Sequence, residues 1–179
     1  MGAGVDDDQD EKATPPTRWL TAAEQDTWRA YLWAGRLLDK VMDDDLQEHG
    51  LSIGEYEILA MLSEAPRAAM RMSTLADFVV QSRSRLSHTA MRLERRDLVA
   101  RRPAPGDRRG VELTLTGQGR QIVDALAPVH VASVRAHLFD VITPRQAAVL
   151  GDAMHRVRAG ILGVDPSTAA PPPDEPPVP

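Results

Sequence analysis

The residues with most chemistry to offer lie in one short run, Arg83-Ser84-Arg85-Leu86-Ser87-His88-Thr89-Ala90-Met91-Arg92-Leu93-Glu94-Arg95. If Leu86, Ala90 and Leu93 turn inward at helical spacing, Arg83, Ser84, Arg85, Ser87, His88, Arg92 and Arg95 share the opposite face. A guanidinium carries a planar fork of donors that matches a phosphate or the O6/N7 edge of guanine. A helix also fits the major groove of a duplex, and the residues at its N-terminus are the ones that reach base edges. The spacing therefore points to Arg83 and Arg85 as base readers, with Ser84, Ser87 and His88 touching bases or phosphates. Arg92, Arg95 and Arg96, toward the helix end, suit phosphate contacts. Taken alone, the same residues also describe an ordinary solvated basic helix.

A second cationic feature follows, Asp107-Arg108-Arg109, bounded by Gly106 and Gly110. It is too polar for a core and has the composition of a protruding hairpin tip. An arginine on such a tip can enter the narrow minor groove, where negative potential concentrates. Asp107 would repel a phosphate, so its use is to hold an arginine side chain in place. The alternative is an exposed salt bridge of little consequence.

Other chemistries find little support. The chain has no cysteine, which excludes disulfides, thiolate metal sites and thiol redox sensing. It contains no HExxH, GxSxG or GxxxxGK sequence, so neither an enzyme nor a resident cofactor is expected. His130 and His137 share a helix face but lack a carboxylate at ligand spacing, and Asp43-Asp44-Asp45 reads as a solvated acidic helix turn. No metal site is expected from either.

Charge supports a polyanionic partner. The chain carries −5 overall, but between Arg67 and Arg109 eleven arginines face four carboxylates, giving +7 there and −12 elsewhere. There are only two lysines, Lys12 and Lys40. A compositional preference for arginine explains that choice but not the clustering.

The elements that would position these groups are mostly helical. Thr21 and Glu24 form a capping box before an amphipathic run from Ala22 to about Glu48, with Trp28, Tyr31, Leu32, Leu38, Val41, Met42 and Leu46 on one broad face. Ser52 and Glu55 open a second helix, with Ile53, Tyr56, Leu59, Ala60 and Leu62 inward, ending near Ala65-Pro66. Ser73 caps a short helix to about Val80 and Ser82 caps the arginine-bearing one. The period then changes: residues 98–102 and 111–115 read as strands around a long turn, 103–110. Helical spacing returns after Thr116, with a kink expected at Pro128. Thr143-Pro144-Arg145-Gln146 opens the last helix, which continues to Ile161. Residues 1–17 are acidic and 163–179 rich in proline, and both are expected to be disordered tails. The N-terminus has no signal-peptide pattern and no stretch reaches the roughly 18 consecutive apolar residues of a membrane span, so a cytoplasmic protein with no membrane partner is expected.

This gives a mainly α fold with a small β-hairpin wing: residues 18–162 as a winged helix-turn-helix domain, with the DNA-binding lobe at 51–116 and dimerisation helices at 18–50 and 117–162. The segment from Ser82 to Thr116, above all the Asp-x-Arg wing and the Leu-Thr strand behind it, resembles the multiple-antibiotic-resistance regulator (MarR) family, and the likeness extends over roughly residues 18–162. The resemblance implies a homodimer with interlocked terminal helices, recognition of a short palindrome in double-stranded DNA, and repression relieved by a small, often aromatic effector. It implies that Asp107 orients Arg109 into the minor groove, with Arg108 between them. It also implies an effector pocket between the dimer helices and the lobe, with Trp28, Tyr31 and Tyr56 as candidate walls, although each reads more readily as core. The thiol-sensing branch has a cysteine in its first helix that is absent here. A winged-helix module that binds other proteins remains the alternative; it would not need Arg83, Arg85, Arg92 and Arg109 on one surface.

Overall fold

The computed structural model describes residues 17–79, 82–104 and 106–165, with backbone alone at Arg108 and Arg109. The expected tails fall outside these residues except at 17 and 163–165, as do Val80, Gln81 and Pro105. The chain forms two compact units, one reaching Gly35 and the other starting at Arg36, so the boundary falls inside the first helix.

That helix, α1 (Ala22–Gln47), starts at the expected capping box: the Glu24 amide donates to Thr21 Oγ1 at 3.2 Å and the Thr21 amide to Glu24 Oε2 at 2.7 Å. The same hydrogen bonds, backbone first, hold the Glu24 carboxyl below its ordinary range. In the first unit the large apolar residues Trp19, Leu20, Trp28, Tyr31 and Trp33 are all exposed.

In the second unit Ser52 caps α2 (Ile53–Glu64), again with a complete capping box to Glu55. α2 buries Tyr56, Ile58, Leu59 and Leu62. Together with Leu75, Leu86, Leu93, Leu98, Val99 and Leu113 they form one apolar core.

The sheet differs from the expected two-stranded hairpin. It has three antiparallel strands in the order β1 (Ala69–Arg71), β3 (Asp107–Leu115), β2 (Val99–Ala104). Three residues are too few for a period-2 signal, so β1 reads as loop in the sequence. A 3₁₀ turn, Pro66–Ala68, delivers it, with Arg67 at φ 61° and Ala68 at φ 51°. Left-handed backbone at such residues costs of order 1 kcal/mol each. It is held by the Ala68 amide bonding to Ala65 O and by the pairing of residues 69–71 with 112–114.

The strand leads straight into α3 (Met72–Phe78), whose N-cap is Arg71 with no side-chain cap. The expected cap at Ser73 is thus displaced by β1, which already fixes the chain before it. Ser82 does cap α4 (Arg83–Arg95), accepting from the Arg85 amide at 3.2 Å.

The wing also differs. Residues 103–110 are not one long turn, because pairing continues to Pro103↔Val111 and then, across an irregularity, Ala104↔Asp107. Gly106 turns the chain at φ 74°. A Cβ at Gly110 would lie 2.7 Å from Asp107 Oδ2 and 3.0 Å from the Ala104 Cβ, so a larger residue there would have to displace the Asp107 carboxylate.

Thr116 caps α5 (Gly117–Val134), which packs on α2 and gives Val123 and Leu126 to the core. A Cβ at Gly119 would meet Leu98 O at 2.1 Å, so only glycine lets the helix start this close to the wing. α5 continues through Pro128 as one element and widens into a π turn at Arg135–Phe139. By length and composition alone Gly117–Phe139 passes the test for a membrane-crossing helix, a test that the core helix of a soluble protein also passes. α6 (Pro144–Leu162) begins at the predicted Thr143–Gln146 capping box and ends at Gly163 in the left-handed region.

Candidate nucleic-acid interface

Leu86, Thr89, Ala90 and Leu93 anchor α4 in the core, which turns Arg83, Ser84, Arg85, His88, Arg92 and Arg95 outward to exposure. Ser87 is half-buried, and its carbonyl accepts from Arg101 Nη2 at 2.7 Å.

The arginines divide into two sets. Glu55, 8% exposed, accepts from Arg92 Nε at 3.1 Å and lies 3.8 Å from Arg96 Nη1. Arg67 pairs with Glu112 at 3.4 Å and Arg71 with Asp107 at 3.1 Å. Arg101 braces β2 against α4 through Glu94 at 3.8 Å and the Ser87 carbonyl. By contrast, Arg83, Arg85, Arg95 and Arg102 are exposed and make no ion pair among the described residues. By residue type and position in the chain, all these cations look alike. Which are already neutralised depends on carboxylates 7 to 45 residues away along the chain, all but Glu94 at 36 or more, a spacing with no local signature.

The start of α4 and the base of the wing share a pocket of about 310 Å³, lined by Arg71, Met72, Ser73, Arg83, Asp107, Gly110 and Val111. Arg83 and Asp107 are thus brought to one side of the molecule. The Asp107 carboxylate holds Arg71 at 3.1 Å. The expected role of Asp107 toward Arg109, and the placement of the Arg108 and Arg109 side chains, lie outside the described residues.

A larger, open cleft of about 920 Å³ runs between α1 (Asp39, Lys40, Asp43), the start of α2 (Ser52, Ile53, Gly54) and α4 (Ser84, Arg85, His88, Arg92). Neither pocket is lined by the aromatic trio. Trp28 and Tyr31 are exposed and stack on one another with centroids 5.8 Å apart. Tyr56 is buried in the lobe, its ring 4.9 Å from that of His130, and burial raises its pKa.

The acidic turn is not simply solvated. Asp43 Oδ1 accepts from the Ile53 amide at 2.8 Å and Oδ2 from Gln47, while Asp44 pairs with Lys40. Asp43 thereby ties α1 to the positive end of the α2 dipole. The two histidines also differ. His137 Nδ1 sits 2.9 Å from Ser133 O, whereas His130 Nδ1 is buried without a hydrogen-bond partner among the described residues, and burial lowers its pKa.

A helix-turn-helix with a three-stranded wing and an exposed, capped, arginine-bearing second helix defines the winged-helix class of DNA-binding proteins. A MarR family model matches residues 49–110. Two solved structures from Streptomyces coelicolor are similar across most of the chain. AbsC, a MarR family transcriptional regulator, is 44% identical with a TM-score of 0.78, covering 82% of this chain and 99% of AbsC. Sco3205, solved in complex with DNA, is 41% identical with a TM-score of 0.78, covering 82% and 92%. Among curated proteins, the HTH-type transcriptional regulator PecS of Dickeya dadantii (strain 3937) is 31% identical over 110 residues, 60% of this chain and 63% of PecS, so the match spans just under two thirds of that protein.

The chain belongs to the MarR family of DNA-binding transcriptional regulators. These relatives are transcriptional regulators.

Proposed function

We propose that the protein is a homodimeric repressor that binds a palindromic operator in double-stranded DNA and leaves it when a small, often aromatic effector binds. The observation that carries the DNA reading is the set of unpaired arginines at the exposed start of α4, next to the wing base. Arg83 and Arg85 read bases, with Ser84, Ser87 and His88 beside them. Arg95, Arg108 and Arg109 contact the backbone and minor groove. Arg92 is the weakest member of the set, being held by Glu55.

The open apolar faces of the terminal helices support the homodimer. Val149, Leu150, Met154, Val157 and Ile161 are exposed on α6, as are Trp28, Tyr31 and Leu37 on α1. A two-fold dimer sets two α4 helices about 34 Å apart, one turn of duplex. Effector release rests on family membership. A repressor working on DNA in this way acts in the cytoplasm.

The test is selection of bound duplexes from a random-sequence pool with the full chain. A two-fold symmetric consensus with half-sites about 10 bp apart is expected. Failure to enrich any sequence would refute specific recognition.

A further inference from the structure

We propose that Glu55 is a positioning residue that withholds Arg92 and Arg96 from DNA, so that α4 reads with its first half and is anchored by its second. This rests on the DNA-binding reading above and deepens it. The carboxylate of Glu55 sits at the third position of α2, where it closes the capping box by accepting from the Ser52 amide at 3.2 Å. The same group is nearly buried and faces two guanidiniums of α4, accepting from Arg92 Nε at 3.1 Å and lying 3.8 Å from Arg96 Nη1. Arg92 is fixed further by its own Nη2, which donates to Thr89 Oγ1 at 3.4 Å.

One charge therefore does two jobs: it caps the start of α2 and neutralises cations on the face that meets the duplex. Both arginines remain partly exposed, with side chains 49% and 39% accessible, so they could reach phosphates if released. Holding them suppresses sequence-independent attraction, which phosphate contacts supply, without touching the base-reading residues. It also sets the rotation of α4 about its axis, because Arg92 lies two turns beyond Arg85.

Glu55→Gln separates these jobs, since glutamine still serves the third position of a capping box. The readout is the slope of log Kobs against log salt for the full chain on a mixed-sequence duplex. Each released arginine that takes a phosphate steepens the slope by about 0.9, so E55Q is expected to steepen it by about 0.9 to 1.8 and to bind this duplex more tightly at low salt. Arg92→Ala in the native background should leave the slope within a few tenths, and R92A added to E55Q should remove about 0.9 of the gain, the share of one arginine. Ser52→Ala is the control for a purely structural role: it weakens the cap and lowers Tm but leaves the slope unchanged. An E55Q slope equal to that of the native chain, or a native-background R92A slope shallower by about 0.9, overturns the proposal. A native chain that binds no duplex at all instead overturns the DNA-binding reading, and this inference with it.

Discussion

Leu62, Leu75, Leu86, Leu93 and Leu113 of the winged lobe are wholly buried, whereas Val149, Leu150, Met154, Val157 and Ile161 of α6 are exposed along a helix just as well capped. The two regions have similar apolar residues at similar helical spacing. The lobe closes its stripe against a sheet and three neighbouring helices, while α6 has no such cover, and Ala159 is its one buried residue among those described. A helix stripe is a request for a partner, and here one region is satisfied within the chain and the other is not. The lobe should therefore be stable by its own packing, and the terminal helices should be sensitive to association.

That contrast can be broken by substitution. The largest effect is expected for Leu93→Ala, which leaves a cavity beneath α4 and should lower unfolding free energy by about 2–5 kcal/mol in chemical denaturation. A change under about 0.5 kcal/mol would mean the lobe core does not carry the fold. Arg85→Ala should cost about 1–3 kcal/mol of discrimination between the selected operator and a mismatched one, with Tm unchanged, by titration of both duplexes. Equal losses on both duplexes would place Arg85 on the backbone instead. Val157→Glu should weaken self-association by about tenfold or more, near 1.4 kcal/mol, in sedimentation equilibrium, while leaving the lobe's denaturation midpoint in place. If the variant associates as the native chain does, the open face of α6 is not an interface. Arg109→Ala should weaken operator binding by less than tenfold and relax preference at the flanks of the site, read from a repeated selection experiment.

The smallest effect concerns pH. Burial holds His130 neutral in the fold below its ordinary value of 6.5, so the unfolded chain takes up a proton first as pH falls. Stability is thus full above about 6.5 and declines as pH drops through that value toward the folded pKa. Replacing His130 by Phe, which keeps a ring beside Tyr56, should flatten this part of the stability curve.

Much of the fold was legible because its signals are local. The capping boxes at Thr21, Ser52 and Thr143 and the cap at Ser82 are satisfied within three residues, so each reports a helix start by itself. The strand β1 was not legible, since three residues become a strand only through β3, more than forty residues later. The wing looked like a turn because its glycines and charges are read before the ladder that pairs them.

Residue types and their order determined that a helix with Leu86, Ala90 and Leu93 inward must show arginines outward, because periodicity is a property of the chain alone. Only the tertiary structure decided which of those arginines are spent. Glu55, Glu94, Asp107 and Glu112 reach Arg92, Arg101, Arg71 and Arg67 through space. A charge is neutralised by distance in three dimensions, and sequence separation carries no record of that distance.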